Sequence, residues 1–564
     1  MEYDVILVGA SPSNMALAWR LVEKADTPIR IAILEKSKSL GGHLLSGAVT
    51  NPRVIQTMFP EWDKGEFPLE GVCEKSHVTM LGSKGWAHVP HMFMPPYFKK
   101  EGYAIISISN MVAFIASKIA EKAKEKEGVV VDIYPAFPAR SIVYEGERVV
   151  GVKVDSTGKD ELDICYAKVV VFGDKGFTSR DLISKFNLCK TEQTYAVGVK
   201  EIWETKESYE GMVWHTMGYP LPPGHLGGGF IYGCKNNKLI VGMVMGLDFA
   251  NPNIRPPQAL QDLKKHPFVQ EKIGGGKILR YGASILPEGG YYSLPEKFAV
   301  DGALLVGDAL GVLDVKRFSG VDKAMQSGLD AADTIHSALK NGDTTATGLS
   351  GYQEKLMSGW VGKELKSSRY FRKAFRDYPE LLNTAIPKIM KYVDSGKGLI
   401  ASGIALGLTD LKGSINLLGA QKMMDNPAEA GPMTYEKDYK AIKADYSAKV
   451  ETPKEFDSET IYSTDDVVYY AHTHYEEGNN HIEEFSADTC KKCIAEYEAE
   501  GKETPCVGDC TASVHQTLNK EGVKVHAMAL ENCVQCRTCE IVCPYENLRV
   551  NAALHGYGPD FSGM

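Results

Sequence analysis

The chain has no surplus of positive charge, no long apolar run and few cysteines over most of its length, and each shortage excludes something. With 63 Lys+Arg against 72 Asp+Glu, a net charge of −9 argues against a nucleic-acid binder, which asks for a basic face. No stretch reaches the roughly 18 apolar residues of a membrane span. The longest, Leu399–Leu408 (LIASGIALGL), reads as a buried helix or as a segment dipping into one leaflet. A basic leader is missing as well, since Glu2 and Asp4 stand where a secretory signal would carry Lys or Arg. Only four cysteines (Cys73, Cys165, Cys189 and Cys234) fall in the first 489 residues, too sparse for a disulfide framework.

What is present is a globular composition, 44% hydrophobic and 24% charged over 564 residues, enough for two to four units at about 150 residues each. The other eight cysteines crowd into the last 75 residues. Cys533, Cys536, Cys539 and Cys543 stand there as C-x2-C-x2-C-x3-C, followed by Pro544. Three thiolates so spaced turn from one tight loop onto one cubane iron–sulfur cluster, and the fourth typically reaches a different cluster in two-cluster ferredoxins. A zinc ribbon uses two C-x2-C pairs instead. The tail therefore predicts an electron-transfer unit in a reducing compartment.

At the other end, Tyr3–Val8 (YDVILV) is a nearly continuous apolar run, as in a strand of a parallel sheet. It enters Gly9-Ala10-Ser11-Pro12-Ser13-Asn14 and a helical pattern, and a second strand, Ile29–Leu34, ends at Glu35. That is the βαβ layout of a dinucleotide site, with an acid placed for ribose hydroxyls. The glycine fingerprint is incomplete, because Ser11 and Asn14 replace its second and third glycines. Serine is expected to crowd a pyrophosphate and asparagine to loosen helix–strand packing, although the helix N-terminus still offers N–H groups to a phosphate. An ordinary parallel αβ unit is the alternative.

Further strands are predicted at Val129–Tyr134, Val149–Val154, Val169–Phe172 and Ala303–Val306. The last runs into Gly307-Asp308, with helix resuming after Gly320, an arrangement that places an acid near a ribityl chain. Gly41-Gly42 with Leu44–Ala48 forms a loop that either wraps a cofactor or turns. Residues 195–300 carry strand-like pieces at Tyr195–Trp203, Gly228–Tyr232, Leu239–Met245 and Tyr281–Ile285, predicting a mixed or antiparallel inserted sheet. His91–Phe98 (HMFMPPYF) is an apolar patch with two prolines, either core under a loop or an exposed surface. Residues 340–440 read as helical. From 441 to 489 the polar, acidic composition predicts a solvated linker, with His472, His474 and His481 as a less favoured metal set.

Taken together, the chain resembles the electron transfer flavoprotein–quinone oxidoreductase family. The resemblance rests on Leu45–Ala48, Thr194–Trp203, Gly227–Tyr232, Gly246–Phe249 with Asn251-Pro252, Tyr281–Ala283 with Glu288–Gly290, Asn532–Cys539, and Gly558-Pro559. It implies an α/β, glutathione-reductase-like FAD-binding fold with the inserted sheet, and a C-terminal ferredoxin-like α+β domain. The expected division is 1–194 FAD-binding, 195–300 quinone-side sheet, 301–440 FAD-binding return and helical region, 441–489 linker, and 490–564 iron–sulfur domain.

The cofactor residues implied are Gly9, Ser11, Asn14, Glu35, Lys36, Gly42, Ser46, Gly47, Gly307, Asp308 and Gly320 for FAD. The quinone is expected near Gly228, Gly229, Tyr232 and Asp248. Relatives carry an arginine where this chain has Ser107, which removes a positive charge from the flavin's surroundings. For the metal, Cys510, Cys533, Cys536 and Cys539 are expected to hold one 4Fe–4S cluster. By the crossover rule Cys490, Cys493, Cys506 and Cys543 hold a second; a single cluster with spare thiols, or with zinc, are the alternatives. The implied activity is transfer from a reduced electron transfer flavoprotein, conceivably a bifurcating one, to a membrane quinone, with no catalytic triad. Peripheral attachment to the cytoplasmic face of a membrane goes with it. Two rivals are a flavin-dependent isoprenoid-lipid (geranylgeranyl) reductase and a non-catalytic electron-transfer subunit without flavin.

Overall fold

The structure, a computed structural model, describes residues 2–155, 162–222, 225–248, 254–372, 391, 394–395, 452–476 and 478–564. Strand Glu2–Val8 (β1), helix Pro12–Lys24 (α1) and strand Ile29–Leu34 (β2) open the fold. β1 pairs in parallel with β2 and with Asp163–Phe172. Val129–Tyr134 continues the sheet beyond β2, and Ala303–Leu305 beyond Asp163–Phe172. Ile6, Leu7, Ile31, Ile33 and Val169–Phe172 are fully buried. Their continuous apolar runs follow from burial of both sheet faces. Antiparallel strands Ala139–Glu145 and Arg148–Val154 extend this 8-stranded sheet from the side.

α1 begins where Ser11 turns out of the strand and its Oγ accepts the Asn14 N–H, with Pro12 in the first turn. Proline costs nothing there, because that N–H has no helical partner in any case. The long helix Val321–Asn341 packs against α1, with Gly328 set against the backbone of Ser13 and Leu17. A Cβ on Gly328 would lie 2.0 Å from the Ser13 carbonyl oxygen. Gly328→Ala is therefore expected to force the two helices apart at a cost of about 1–3 kcal/mol, typical of overpacking; a urea unfolding midpoint below that of the parent measures it.

The second sheet has seven strands in the order Lys277–Pro287, Tyr195–Glu204, Lys238–Gly246, Gly227–Gly233, Met212–Gly218, Lys75–Leu81 and Trp86–His88. Every pairing is antiparallel except Met212–Gly218 with Lys75–Leu81. Two of these strands come from the first 194 residues, so the sheet is not confined to 195–300. At its other limit, Ala299–Val300 belongs to the parallel sheet. Behind the second sheet, Glu201 and Lys264 form a fully buried ion pair at 2.9 Å. The Glu201 carboxylate also accepts from Trp203 Nε1 and Gln261 Nε2.

Of the helices expected over 340–440, Ala346–Leu349, Gly351–Ser358 and Trp360–Ser368 are present. Leu399–Leu408 lies outside the described residues. No helix among the described residues is long and apolar enough to cross a membrane. Trp360–Ser368 is tied down by Glu364, which accepts from both terminal nitrogens of Arg53 (3.0 and 3.1 Å) and pairs with Lys323 at 2.9 Å. Burial alone would raise the Glu364 pKa, but these cations outweigh it and hold it at about 2. An unfolded glutamate titrates near about 4.3, so this contribution is complete above that pH and is lost as pH falls toward 2. The difference in unfolding midpoint between the parent and Glu364→Gln should accordingly shrink steadily from pH 5 to pH 2.

Residues 452–489 correct the expectation of a solvated linker. Val467, Val468, Ala471, His481 and Ile482 are buried, and His474 exchanges backbone hydrogen bonds with Gly558 at 2.8 and 2.9 Å. Acidic Asp465 and Asp466 face solvent while apolar neighbours cover one side of the second sheet, a pattern that averaged composition hides. Beyond lie helix Ala487–Ala499, hairpin His515–Lys520/Val523–Met528, the short helix Thr538–Val542, and strand Leu548–Val550 paired with Ile482–Glu484. This unit shares a core with the second sheet through Tyr281, Val514, Cys533, Cys539 and Leu548.

Candidate functional site

At the end of β1 the chain turns on Gly9, at φ +87°, a left-handed conformation that glycine adopts without strain. The Ala10 N–H donates to Glu35 Oε2 at 2.8 Å, and Glu35 Oε1 accepts from the Ser37 N–H at the same distance. Asn14 overturns the expectation of loosened packing: its Nδ2 donates to the carbonyls of Val8 (2.9 Å) and Gly9 (2.8 Å). The asparagine ties helix to strand, and the space is made elsewhere. A Cβ on Gly173 would lie 2.7 Å from both Asn14 Nδ2 and Ser11 Oγ.

These elements open onto a cavity of about 480 Å³. Of the expected cofactor residues, Gly9, Ser11, Glu35, Lys36, Ser46, Gly47, Asp308 and Gly320 line it. Asn14, Gly42 and Gly307 do not. Gly42 offers its carbonyl to the Phe561 N–H at 2.7 Å, and the Gly307 N–H donates to Ser327 Oγ at 2.9 Å. Ser107 is likewise absent from the lining; it caps the helix Ile108–Lys124 and donates to the Met564 carbonyl at 2.8 Å. A cation enters by another route, because Lys175 lines the cavity with its Nζ 3.8 Å from Asp308 and 3.1 Å from Ser284 Oγ. The strand-end glycine, acid, helix N-terminus and Asp308 together fit a dinucleotide such as FAD.

The same cavity reaches the second sheet, where Gly228, Gly229, Tyr232, His215, Thr216 and Met217 line it. Asp248 is not part of this lining; it pairs with Arg372 at 2.5 Å. Pro95, Tyr97, Phe98 and Phe318 also line it, with the Phe98 and Phe318 rings 5.2 Å apart. The His91–Phe98 patch divides: Met94 is buried, whereas Met92 is 80% exposed.

A third wall comes from the cysteine loop, since Val534, Gln535, Cys536 and Arg537 line the cavity too. Lys36 Nζ donates to Gln535 Oε1 at 2.8 Å and meets His43 Nδ1 at 2.6 Å. Burial brings the Lys36 pKa down to about 8. Arg537 donates to the Lys175 carbonyl and pairs with Glu540, which also binds Arg180.

The eight clustered cysteines are all free thiols, with Cys493, Cys533 and Cys539 buried. Burial, then the charges of Cys536 and Cys510 among others, pushes the Cys533 thiol up; Cys539 feels Cys536, Cys533, Cys510 and Cys506 in that order after burial. Cys506 is pushed to about 12 by burial, with Cys543, Cys493 and Cys490 adding to it. Asn547 reaches two of the sulfurs, its backbone N–H donating to Cys543 and its side-chain amide to Cys490, each at 3.2 Å. Backbone N–H groups reach three of the sulfurs, Val514 to Cys510 (3.2 Å), Gln535 to Cys533 (3.3 Å) and Asn547 to Cys543 (3.2 Å). N–H donors directed at sulfur suit metal thiolates, whose negative charge those donors stabilise.

Glu484, His526 and His515 form a chain of hydrogen bonds (2.6 and 2.8 Å) whose ligand atoms come within 4.8 Å of Cys490 or Cys506. His472, His474 and His481 join no such set among the described residues. Sequence reasoning left Lys175, His215 and Gln535 without roles. Only their convergence on one cavity marks them, and no local motif carries that signal.

Fold and cavity define the class: an α/β protein of the FAD-binding type, with a second sheet closing the far side of the cofactor cavity. Residues 195–286 match the family model described as ETF-QO, ubiquinone-binding. The chain is 31% identical over 591 residues to the electron transfer flavoprotein-ubiquinone oxidoreductase of Pseudomonas aeruginosa, covering 100% of this chain and 99% of that protein. It is 28% identical to the mitochondrial enzyme of that name from Bos taurus, covering 100% of this chain and 89% of the relative. The chain belongs to the electron transfer flavoprotein-ubiquinone oxidoreductase family. In fold, it is similar to a geranylgeranyl bacteriochlorophyll reductase-like protein from Thermoplasma acidophilum, at 15% identity and a TM-score of 0.56, over 74% of this chain and 99% of that one.

Proposed function

We propose that the chain is an oxidoreductase that accepts electrons from a reduced electron transfer flavoprotein and delivers them, through iron–sulfur clusters and FAD, to a membrane quinone. One observation carries this reading: a single cavity is walled by the nucleotide turn, by the family's ubiquinone-binding segment and by the cysteine loop. FAD would lie against Gly9, Ser11, Glu35, Ser46, Asp308 and Gly320, and the quinone head group against Gly228, Gly229 and Tyr232. Cys510, Cys533, Cys536 and Cys539 would hold the cluster nearer the cavity, and Cys490, Cys493, Cys506 and Cys543 the farther one, in a C-terminal ferredoxin-like unit. Bound FAD would supply the exchange between single electrons and electron pairs.

The protein's own part is positional. Glu35 and Asn14 hold the turn that meets the nucleotide, Lys175 and Asp308 place opposite charges in one wall, and Gln535 bridges the cysteine loop to Lys36. The exposed Met92 and half-exposed Phe318, close to cavity-lining aromatics, support peripheral contact with a membrane, which a long-tailed quinone requires. In this reading 1–194 and 301–440 serve FAD, 195–300 the quinone and 490–564 the clusters, with Lys75–Leu81 and Trp86–His88 joining the quinone-side sheet.

Anaerobic purification with iron, acid-labile sulfide and flavin determined on one sample tests the cofactors. About eight irons per chain is the content of two cubane clusters, and about four would reduce the proposal to one. Quinone-dependent reoxidation of the chain after mixing with reduced electron transfer flavoprotein tests the activity, and its absence would refute the reading.

A further inference from the structure

A histidine in the wall of the cavity carries a buried ring nitrogen that meets no partner among the described residues. His215 is only 7% exposed and lines the cavity. Its Nε2 meets the Tyr232 hydroxyl at 3.1 Å, while its Nδ1 has no hydrogen-bond partner among the described residues. An unsatisfied buried polar group is costly, so native structures seldom keep one unless a ligand or water meets it.

The surroundings narrow the choice of ligand. Phe318 stacks on the imidazole at 5.4 Å between ring centroids and an interplanar angle of 26°. Tyr232 itself lines the cavity, and its ring lies 5.6 Å from the imidazole at 64°. Phe230 and Phe98 complete an aromatic wall. Flat apolar walls around one free hydrogen-bonding nitrogen suit a planar ring bearing a carbonyl. The adjoining Gly229 N–H is already committed to Thr216 Oγ1 at 3.1 Å, whereas His215 Nδ1 meets no partner among the described residues. Burial, followed by the nearby Lys100 charge, brings the imidazole pKa down to about 3. The ring is therefore neutral at pH 7, with one N–H to place.

We infer that His215 anchors the quinone, its Nδ1–H donating to one ring carbonyl while Nε2 accepts from the Tyr232 hydroxyl. This rests on the quinone-reducing reading above and assigns that site a specificity-determining residue. Tyr232 acts through His215 as a positioning residue, its O–H donating to Nε2 in the tautomer that carries the proton on Nδ1. The recognised class is a ring whose carbonyl accepts one hydrogen bond in an otherwise apolar, aromatic slot. The same ring with that carbonyl reduced to a hydrocarbon would leave Nδ1 unmet and be rejected.

The experiment uses the purified full chain and a short-chain 1,4-benzoquinone as probe, with binding read from quenching of tryptophan fluorescence and not from turnover. His215→Phe is expected to raise the dissociation constant about tenfold, the effect of losing one buried hydrogen bond. His215→Asn, which keeps an N–H close to the Nδ1 position, should stay within about threefold of the parent. Infrared difference spectra of the bound probe should show one carbonyl stretch lowered in the parent and restored to its free position in His215→Phe. A purely structural role would not produce that paired signature. Unchanged affinity in His215→Phe, or two carbonyl stretches at their free positions in the parent, overturns the inference while leaving quinone binding intact. If His215→Phe does not fold, the parent spectrum and His215→Asn decide the matter. Failure of the parent to bind the probe at all counts against the quinone-reducing reading itself, which keeps the two failures distinct.

Discussion

Replacing Cys536 by serine is expected to stop electron delivery to the quinone, lowering partner-driven quinone reduction by at least about a hundredfold. Changes in the outer shell of a metal site already cost about 10–100-fold, and this change would remove a proposed ligand from the loop that walls the cavity. The comparison that gives the result meaning is Cys490→Ser. Both variants should lose about four irons per chain, one cubane's worth, but their kinetics should differ. Val534 to Arg537 line the cavity, and none of Cys490, Cys493, Cys506 and Cys543 does. In the proposed arrangement, electrons entering at the outer group would pass through the inner one to reach the flavin. Cys490→Ser should slow entry from the partner while leaving exchange between the inner cluster and the flavin intact. Rapid-mixing absorbance at flavin and cluster wavelengths separates the two. Equal kinetic defects in both variants would show that the groups do not act in series.

The second large effect concerns stability. Glu201→Ala is expected to destabilise the protein by about 3–5 kcal/mol, the usual consequence of removing one partner of a buried ion pair. Glu201 and Lys264 are both fully enclosed. Burial, opposed by the Glu201 charge, already lowers the Lys264 pKa. Without Glu201, the ammonium must stay charged in an apolar core or release its proton, and both courses cost free energy. Trp203 Nε1 and Gln261 Nε2 lose their acceptor as well. The double variant Glu201→Leu with Lys264→Met should recover most of the loss, because similar volumes of hydrocarbon replace buried ion pairs well. Denaturant midpoints for the single and double variants measure both outcomes, and a single variant within about 1 kcal/mol of the parent would contradict the argument.

The parallel sheet was legible because its strands are short, β-branched and apolar throughout, as at Tyr3–Val8 and Val169–Phe172. The cysteine spacing was legible because ligation constrains spacing locally. Met212–Gly218 (MVWHTMG) and Lys75–Leu81 (KSHVTML) were not recognised as strands. Each mixes histidine and methionine among few β-branched residues, and each is made a strand by a neighbour far away in sequence. Asn14 was misjudged because fingerprint logic scores the missing glycine and not the two carbonyls that an amide can reach. Asp248 lay close in sequence to the quinone-side strands, yet its carboxylate turned to Arg372, an interaction set by the tertiary fold. His215 carried no motif at all, since its significance lies in an atom left without a partner.

The parallel pairing of Met212–Gly218 with Lys75–Leu81 bears on any attempt to cut the molecule into modules. A fragment limited to residues 195–286 would lose the neighbour of Met212–Gly218 and expose a row of unpaired amides beside Val213 and Trp214. Such an edge recruits strands from other copies. Grafting this quinone-binding sheet onto another scaffold would therefore require carrying the Lys75–Leu81 strand with it, and with that strand the beginning of the nucleotide fold. The two sites can be transplanted together, not one at a time.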